Sequence, residues 1–147
     1  MPLIHGMFDS GALPVAERLV HFTSQRHTVQ ADNIANLSTP YFKPRDLNPQ
    51  SFQAALREAV ERRRHTVSPT RRPLPLRDTH QLTFRPNGIT GRPDPTNDNI
   101  LFHDENNRNV DRIMQQLAEN TMAHRLGTEL VRNQLDMLRL AIRERFA

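Results

Sequence analysis

A chain of 147 residues with 36% hydrophobic content, 5% aromatic content and 11 prolines can form one domain, but its core must be concentrated in part of its length. With no tryptophan and one tyrosine, side chains for stacking nucleobases or lining a deep aromatic pocket are scarce, and without cysteine neither disulfides nor thiolate metal sites are available. The net charge is +4 at pH 7, and all basic residues but Lys43 are arginine, so their positive charges stay on at almost any pH and keep acidic partners and nucleic acid in view.

The chain starts without a basic stretch ahead of an apolar run, and no run of about 18 apolar residues occurs, so neither a cleavable signal peptide nor a membrane span is read. The first helix is predicted over residues 13–37, with Pro14 in its first turn and Ser10 or Asp9 as its cap. Steps of four and three collect Ala16, Val20, Thr23, His27, Gln30, Ile34 and Leu37 on one face, beside a second stripe of Val15, Leu19, Phe22 and Val29. Pro40 lacks an amide donor and disfavours α geometry at Thr39, which ends the helix near Asn36.

A bend and a short helix fill residues 38–64. Asn48 caps this helix, Pro49 suits its first position, and Phe52, Ala55, Leu56, Ala59 and Val60 share a face. Arg62, Arg63 and Arg64 suit the negative pole at its end. Six prolines then fall within residues 65–107, which reads as an irregular middle. There HQLTF followed by PNG leaves room for one short hairpin around Gln81 to Phe84, while GRPDPTNDN is polar enough to need a partner for order.

The last helix, over 108–146, carries the most sustained pattern. Alternate steps of four and three give Val110, Met114, Leu117, Thr121, His124, Thr128, Val131, Leu135, Leu138 and Ile142. At ~1.5 Å per residue it is roughly 55 Å long, against about 35 Å for the first helix. Much of its seam therefore needs a second helix or another chain. The fold class is mainly α: an antiparallel, coiled-coil-like pair of long N- and C-terminal helices in a single domain.

The chemistry-bearing residues form no reaction centre. Seven histidines include neither HExxH nor an i, i+4 pair, and no GxxxxGK[ST], GxGxxG or GxSxG occurs. The reading is therefore non-enzymatic, with no cofactor, metal or small-molecule substrate. Residues 57–92 hold nine arginines against Glu58, Glu61 and Asp78, enough to neutralise phosphates, so an Arg-rich nucleic-acid-associated helical protein is the alternative from another class. No helix-turn-helix, zinc-finger or aromatic RNA-binding signature accompanies them, and a solvated loop is the commoner meaning of such a run.

QRHTVQADNIANLSTPYFKPRDL resembles the N-terminal signature of bacterial flagellar axial proteins, where a helix ends in Asn-Ile-Ala-Asn before a Thr-Pro bend and an aromatic residue. The matching residues are Arg26, Asn33, Ile34, Ala35, Asn36, Thr39 and Pro40, with Tyr41 or Phe42 as the aromatic. The short chain, the DLNPQSF segment and VDRIMQQLAENTMAHRLGTELVRNQLDMLRLAI are similar to the FlgB-type flagellar basal-body rod family, over residues 13–60 and 105–145. The second proximal-rod subunit is the nearest alternative; its Pro-Asn-Val segment and Arg-Ala-Tyr-Glu-like run are missing here. The family usually has Gly where this chain has Tyr41, so either the bend uses a different turn or Phe42 is the aromatic equivalent after a local shift.

The resemblance implies a subunit of the periplasmic proximal rod, exported without a cleavable signal through the flagellar type III apparatus and assembling through its terminal helices to transmit motor torque. Implied partners are other copies of itself, other rod proteins, the inner-membrane ring and rod-junction proteins. A long helix with an uncovered seam leads us to expect a free subunit that is largely unfolded or molten, ordering only in the assembly.

Overall fold

The computed structural model describes residues 12–65, 74–96 and 110–145. Among these residues three helices and four short strands follow in the order α1 (Leu13–Ala35), β1 (Arg45–Asp46), α2 (Pro49–Arg64), β2 (Leu82–Arg85), β3 (Gly88–Gly91), β4 (Asp94–Pro95) and α3 (Val110–Arg145). The molecule is mainly helical, with a long helix at each end and small antiparallel sheets between them.

Helix α1 begins with Pro14 in its first turn, but its N-cap is Ala12, which offers no side-chain bond; the expected caps Ser10 and Asp9 lie outside the described residues. Its C-cap is Asn36, four residues before Pro40. Helix α2 starts as the sequence dictates: the Asn48 carboxamide accepts from the amides of Gln50 and Ser51, and Pro49 needs no donor there.

The middle of the chain is more regular than expected. Strands β2 and β3 pair from Leu82 opposite Gly91 to Arg85 opposite Gly88, closed by the two-residue turn Pro86-Asn87. Asp78 accepts from the Phe84 amide at 2.8 Å and Thr79 from the Leu82 amide at 3.1 Å, so the outer edge of β2 is covered by side chains just before it. The segment expected to need a partner is paired in part by its own chain: Asp94 lies opposite Asp46 and Pro95 opposite Arg45, while Thr96 bonds the Pro44 carbonyl through amide and hydroxyl. Proline is tolerated because β4 is a two-residue edge strand.

The core forms where three of these pieces meet. Phe22 of α1, Phe52 of α2, Leu82 and Ile89 of the hairpin, and Leu47 between β1 and α2 are buried together. The rings of Phe22 and Phe52 stack with centroids 4.1 Å apart. Leu19, Val29, Leu56 and Phe84 pack around them. Each such side chain removed from water contributes about 1.5–3 kcal/mol, which suffices for a local core in a chain of modest hydrophobicity. Gly91 fits against Leu47 because a Cβ there would lie 2.7 Å from the Leu47 side chain. Arg18 fastens the turn of the hairpin to α1, donating to the carbonyls of Arg85, Pro86 and Gly88 at 2.7–3.1 Å.

Candidate assembly surface

Arg26 and Asn33 stand two helical turns apart on one face of α1 and both are buried. The Arg26 guanidinium donates from Nε and a terminal nitrogen to the two carboxylate oxygens of Asp46, at 2.8 and 2.6 Å. One of those oxygens also accepts the Leu47 amide at 2.8 Å. Asn33 closes a second two-point contact, donating to the Arg45 carbonyl at 2.6 Å and accepting its amide at 3.0 Å. Consecutive residues of β1 are thus pinned to one helix face. Bidentate, charge-assisted contacts are among the stronger hydrogen bonds available, and they fix orientation as well as distance.

Gln81 extends this clasp. Its carboxamide donates to Asp94 at 2.9 Å and accepts the Asn48 amide at 2.9 Å, linking β4 to the start of α2. A polar cleft of about 500 Å³ lies between the clasp and α3, bordered by Arg26, Asp46, Gln81, Asp94, Arg112 and Glu119. The polar groups of the clasp bond chiefly to one another, so the arrangement holds a shape. Among the described residues, no group of three or more His, Asp or Glu side chains is placed to hold a metal ion.

The rest of the motif builds the bend. The Asn36 side chain donates to the Asp32 carbonyl at 2.9 Å, Thr39 returns its amide to the Asn36 carbonyl, and the Phe42 amide reaches the Thr39 carbonyl. Ile34 and Phe42 are half-buried, whereas Ala35, Thr39 and Pro40 are exposed. Tyr41 has φ of 60°, the only positive φ at a non-glycine position among the described residues, with its ring 72% exposed. Tyr41 takes the left-handed conformation that glycine would adopt freely, at about 1–2 kcal/mol of strain.

Helices α1 and α3 run antiparallel. Asn120 donates to the Thr23 carbonyl at 2.9 Å, and Gly127 abuts Val20 and Leu19 so closely that a Cβ would lie 3.0 Å from Val20. The Thr23 hydroxyl lies 2.8 Å from the Leu19 carbonyl and 2.9 Å from Nδ1 of His124, a hydrogen bond that ties the two helices together. The line along which α3 meets α1 runs beside the expected seam. Leu117, Thr121, His124, Val131, Leu135 and Leu138 are half-buried, but Val110, Met114, Thr128 and Ile142 are exposed, and the fully buried positions are Ile113, Asn120 and Gly127. The line is rotated toward the flank that carries glycine and asparagine, because the missing side chain of Gly127 and the hydrogen bond of Asn120 let the backbones approach most closely there. Hydrophobic counting cannot register either residue. Gln30 of α1 is buried with neither amide atom bonded.

On its other side α3 carries Met122 at 71% exposure, Leu126 at 58%, Leu130 at 40%, Met137 at 54% and Leu140 at 57%. This second apolar stripe was not singled out in the sequence, because it lacks β-branched residues and its steps are interrupted by Asn133. At the far end of the molecule, Arg62 holds Glu58 below the ordinary carboxylate range through a hydrogen bond and its charge. Arg64 pairs with Glu61 at 3.1 Å and Arg62 also bonds the Pro75 carbonyl. Two of the central arginines, Arg62 and Arg64, are thus engaged within the chain.

No protein-family model matches this chain, and no curated protein matches it in sequence.

Proposed function

We propose that this chain is a non-enzymatic structural subunit of the proximal rod of the bacterial flagellar basal body, assembling side by side with its own copies and other rod proteins through its terminal helices. The observation that carries this reading is the outer face of α3, where five large apolar side chains lie uncovered on a 36-residue helix. Contiguous exposed apolar surface of that kind on a polar chain marks a place where protein meets protein. The clasp supports it from the other side: Arg26, Asn33 and Asp46 fix how the bend after α1 leaves the helix, so each copy would present the same rigid outline. In this reading the subunit is exported through the flagellar type III apparatus to the periplasm and sits between the inner-membrane ring and the rod-junction proteins.

Deletion of the coding sequence should abolish swimming and leave basal bodies without rods, with wild-type protein restoring both. Leu126→Asp should yield a folded protein that restores neither. Normal swimming and complete rods in the deletion strain would refute the proposal. The alternative nucleic-acid reading is weakened by the internal engagement of Arg62 and Arg64, two of the nine central arginines. A salt-sensitive gel shift at physiological ionic strength would revive it.

A further inference from the structure

Met122, Leu126, Leu130, Met137 and Leu140 follow one another at spacings of four, four, seven and three, so they share one face of α3 over about 27 Å of helix. The two borders of this stripe differ. One is small or uncharged, with Ala123, Gly127, Gln134 and Ala141; the other is Arg125, Glu129, Arg132 and Asp136 in alternating sign. In a parallel pair of such helices the charged border would meet the uncharged one. In an antiparallel pair like borders meet, and here the charged border is complementary to its own reversal. A twofold axis between residues 130 and 131 sets Arg125 against Asp136 of a second copy and Glu129 against its Arg132, each twice. The same axis brings Met122 to within one residue of the level of Leu140 of the second copy and Leu126 to within two residues of its Met137.

We infer that the outer face of α3 is a homodimer surface, on which a second copy of this chain docks antiparallel about residues 130 and 131. The pairing covers the exposed methionines and leucines, and the four border contacts choose its direction and register. All four border side chains are exposed and the two intrahelical pairs, Glu129 with Arg132 and Asp136 with Arg139, leave carboxylate oxygens free to accept a second donor. Asn133 near the axis weakens the pairing, so the dimer forms and separates readily. It protects the face in solution, and it holds whether or not the chain enters a rod.

The natural chain has no cysteine, so introduced thiols report cleanly. Under mild oxidation Leu130→Cys should crosslink to itself, Met122→Cys and Leu140→Cys should each fail alone, and a mixture of those two should crosslink. Self-crosslinking of all three would show a parallel pair and overturn the inference, as would no crosslink with Leu130→Cys or with the mixture. Sedimentation of charge variants gives an independent reading. Asp136→Arg should weaken dimerisation roughly tenfold, and adding Arg125→Asp should restore it to within about threefold. Equal weakening by the single and double variants would contradict the proposed register.

Discussion

Asp46→Asn isolates the clasp. The change keeps the shape of the side chain and leaves an oxygen to accept the Leu47 amide, but it removes the countercharge from an Arg26 side chain that is only 6% exposed. Arginine cannot discard its proton, so the charge remains buried beside a neutral amide that matches one of its two donors. Breaking one partner of a buried pair costs about 3–5 kcal/mol, and the 14% exposure of Asp46 lets some water in, which places the expectation near 3. Against a total stability of ~5–15 kcal/mol this is a large fraction. At a urea dependence of about 2 kcal/mol/M the unfolding midpoint should fall by roughly 1.5 M, followed by circular dichroism at 222 nm. The double variant Arg26→Met with Asp46→Asn should recover part of the loss, since no unpaired charge remains. A loss below about 1 kcal/mol in the single variant, or a double variant worse than both singles together, would refute the claim that this pair holds β1 on α1.

Tyr41→Gly should stabilise the protein by about 0.5–1 kcal/mol, because relief of left-handed strain exceeds the extra chain entropy of glycine; a lower melting temperature would show that the Tyr41 ring makes a contact worth more than the strain. Gly91→Ala should destabilise by about 1–3 kcal/mol, since the Leu47 side chain it meets is fully buried and cannot swing aside; an unchanged urea midpoint would refute that packing. Gln30→Met keeps the volume and removes two unbonded buried amide atoms, so stability should rise by about 1–3 kcal/mol; a loss would mean that the amide is satisfied in solution.

The two long helices were legible because their signals are local and repeated: Pro14 at one end, Pro40 at the other, and an uninterrupted heptad-like pattern before Arg145. The start of α2 was legible for the same reason, through Asn48 and Pro49. The hairpin showed only as HQLTF and PNG, since its burial comes from meeting Phe22 and Phe52, which are distant in sequence. The clasp was half visible. Arg26 and Asn33 were singled out by resemblance, whereas Asp46, Gln81 and Asp94 are ordinary polar residues until the fold sets them within 3 Å of their partners. No pattern of types predicts Arg18 on the turn, because a guanidinium spanning three carbonyls is a long-range event. The line along which α3 meets α1 was not legible because glycine and asparagine mark it, and both count as interruptions in a hydrophobic period.

The expectation of a largely unfolded free subunit can now be divided by region. The core of Phe22, Leu47, Phe52, Leu82 and Ile89 closes within the chain, and the clasp locks β1 beside it, so α1, α2 and the hairpin have reasons to persist in dilute solution. Helix α3 is different along its length. Asn120 lies opposite Thr23 and Gly127 opposite Val20, so the antiparallel register places Leu13, the first residue of α1, opposite a point between about residues 130 and 134. Beyond it α3 outruns α1 by at least about 16 Å at the helical rise, with Met137, Leu140 and Ile142 exposed. A single helical stretch of about eleven to fifteen residues is marginal in water without tertiary support. Amide hydrogen exchange at low micromolar concentration should therefore find strong protection through Ile113–Gly127 and in α1 around Phe22, declining steeply after Leu135. Raising the protein concentration should restore protection beyond Asp136 first, since that is where a second copy would cover the stripe. Uniform protection to Arg145 at high dilution would mean that the tail is supported from within the chain, and the uncovered face of α3 would lose its significance.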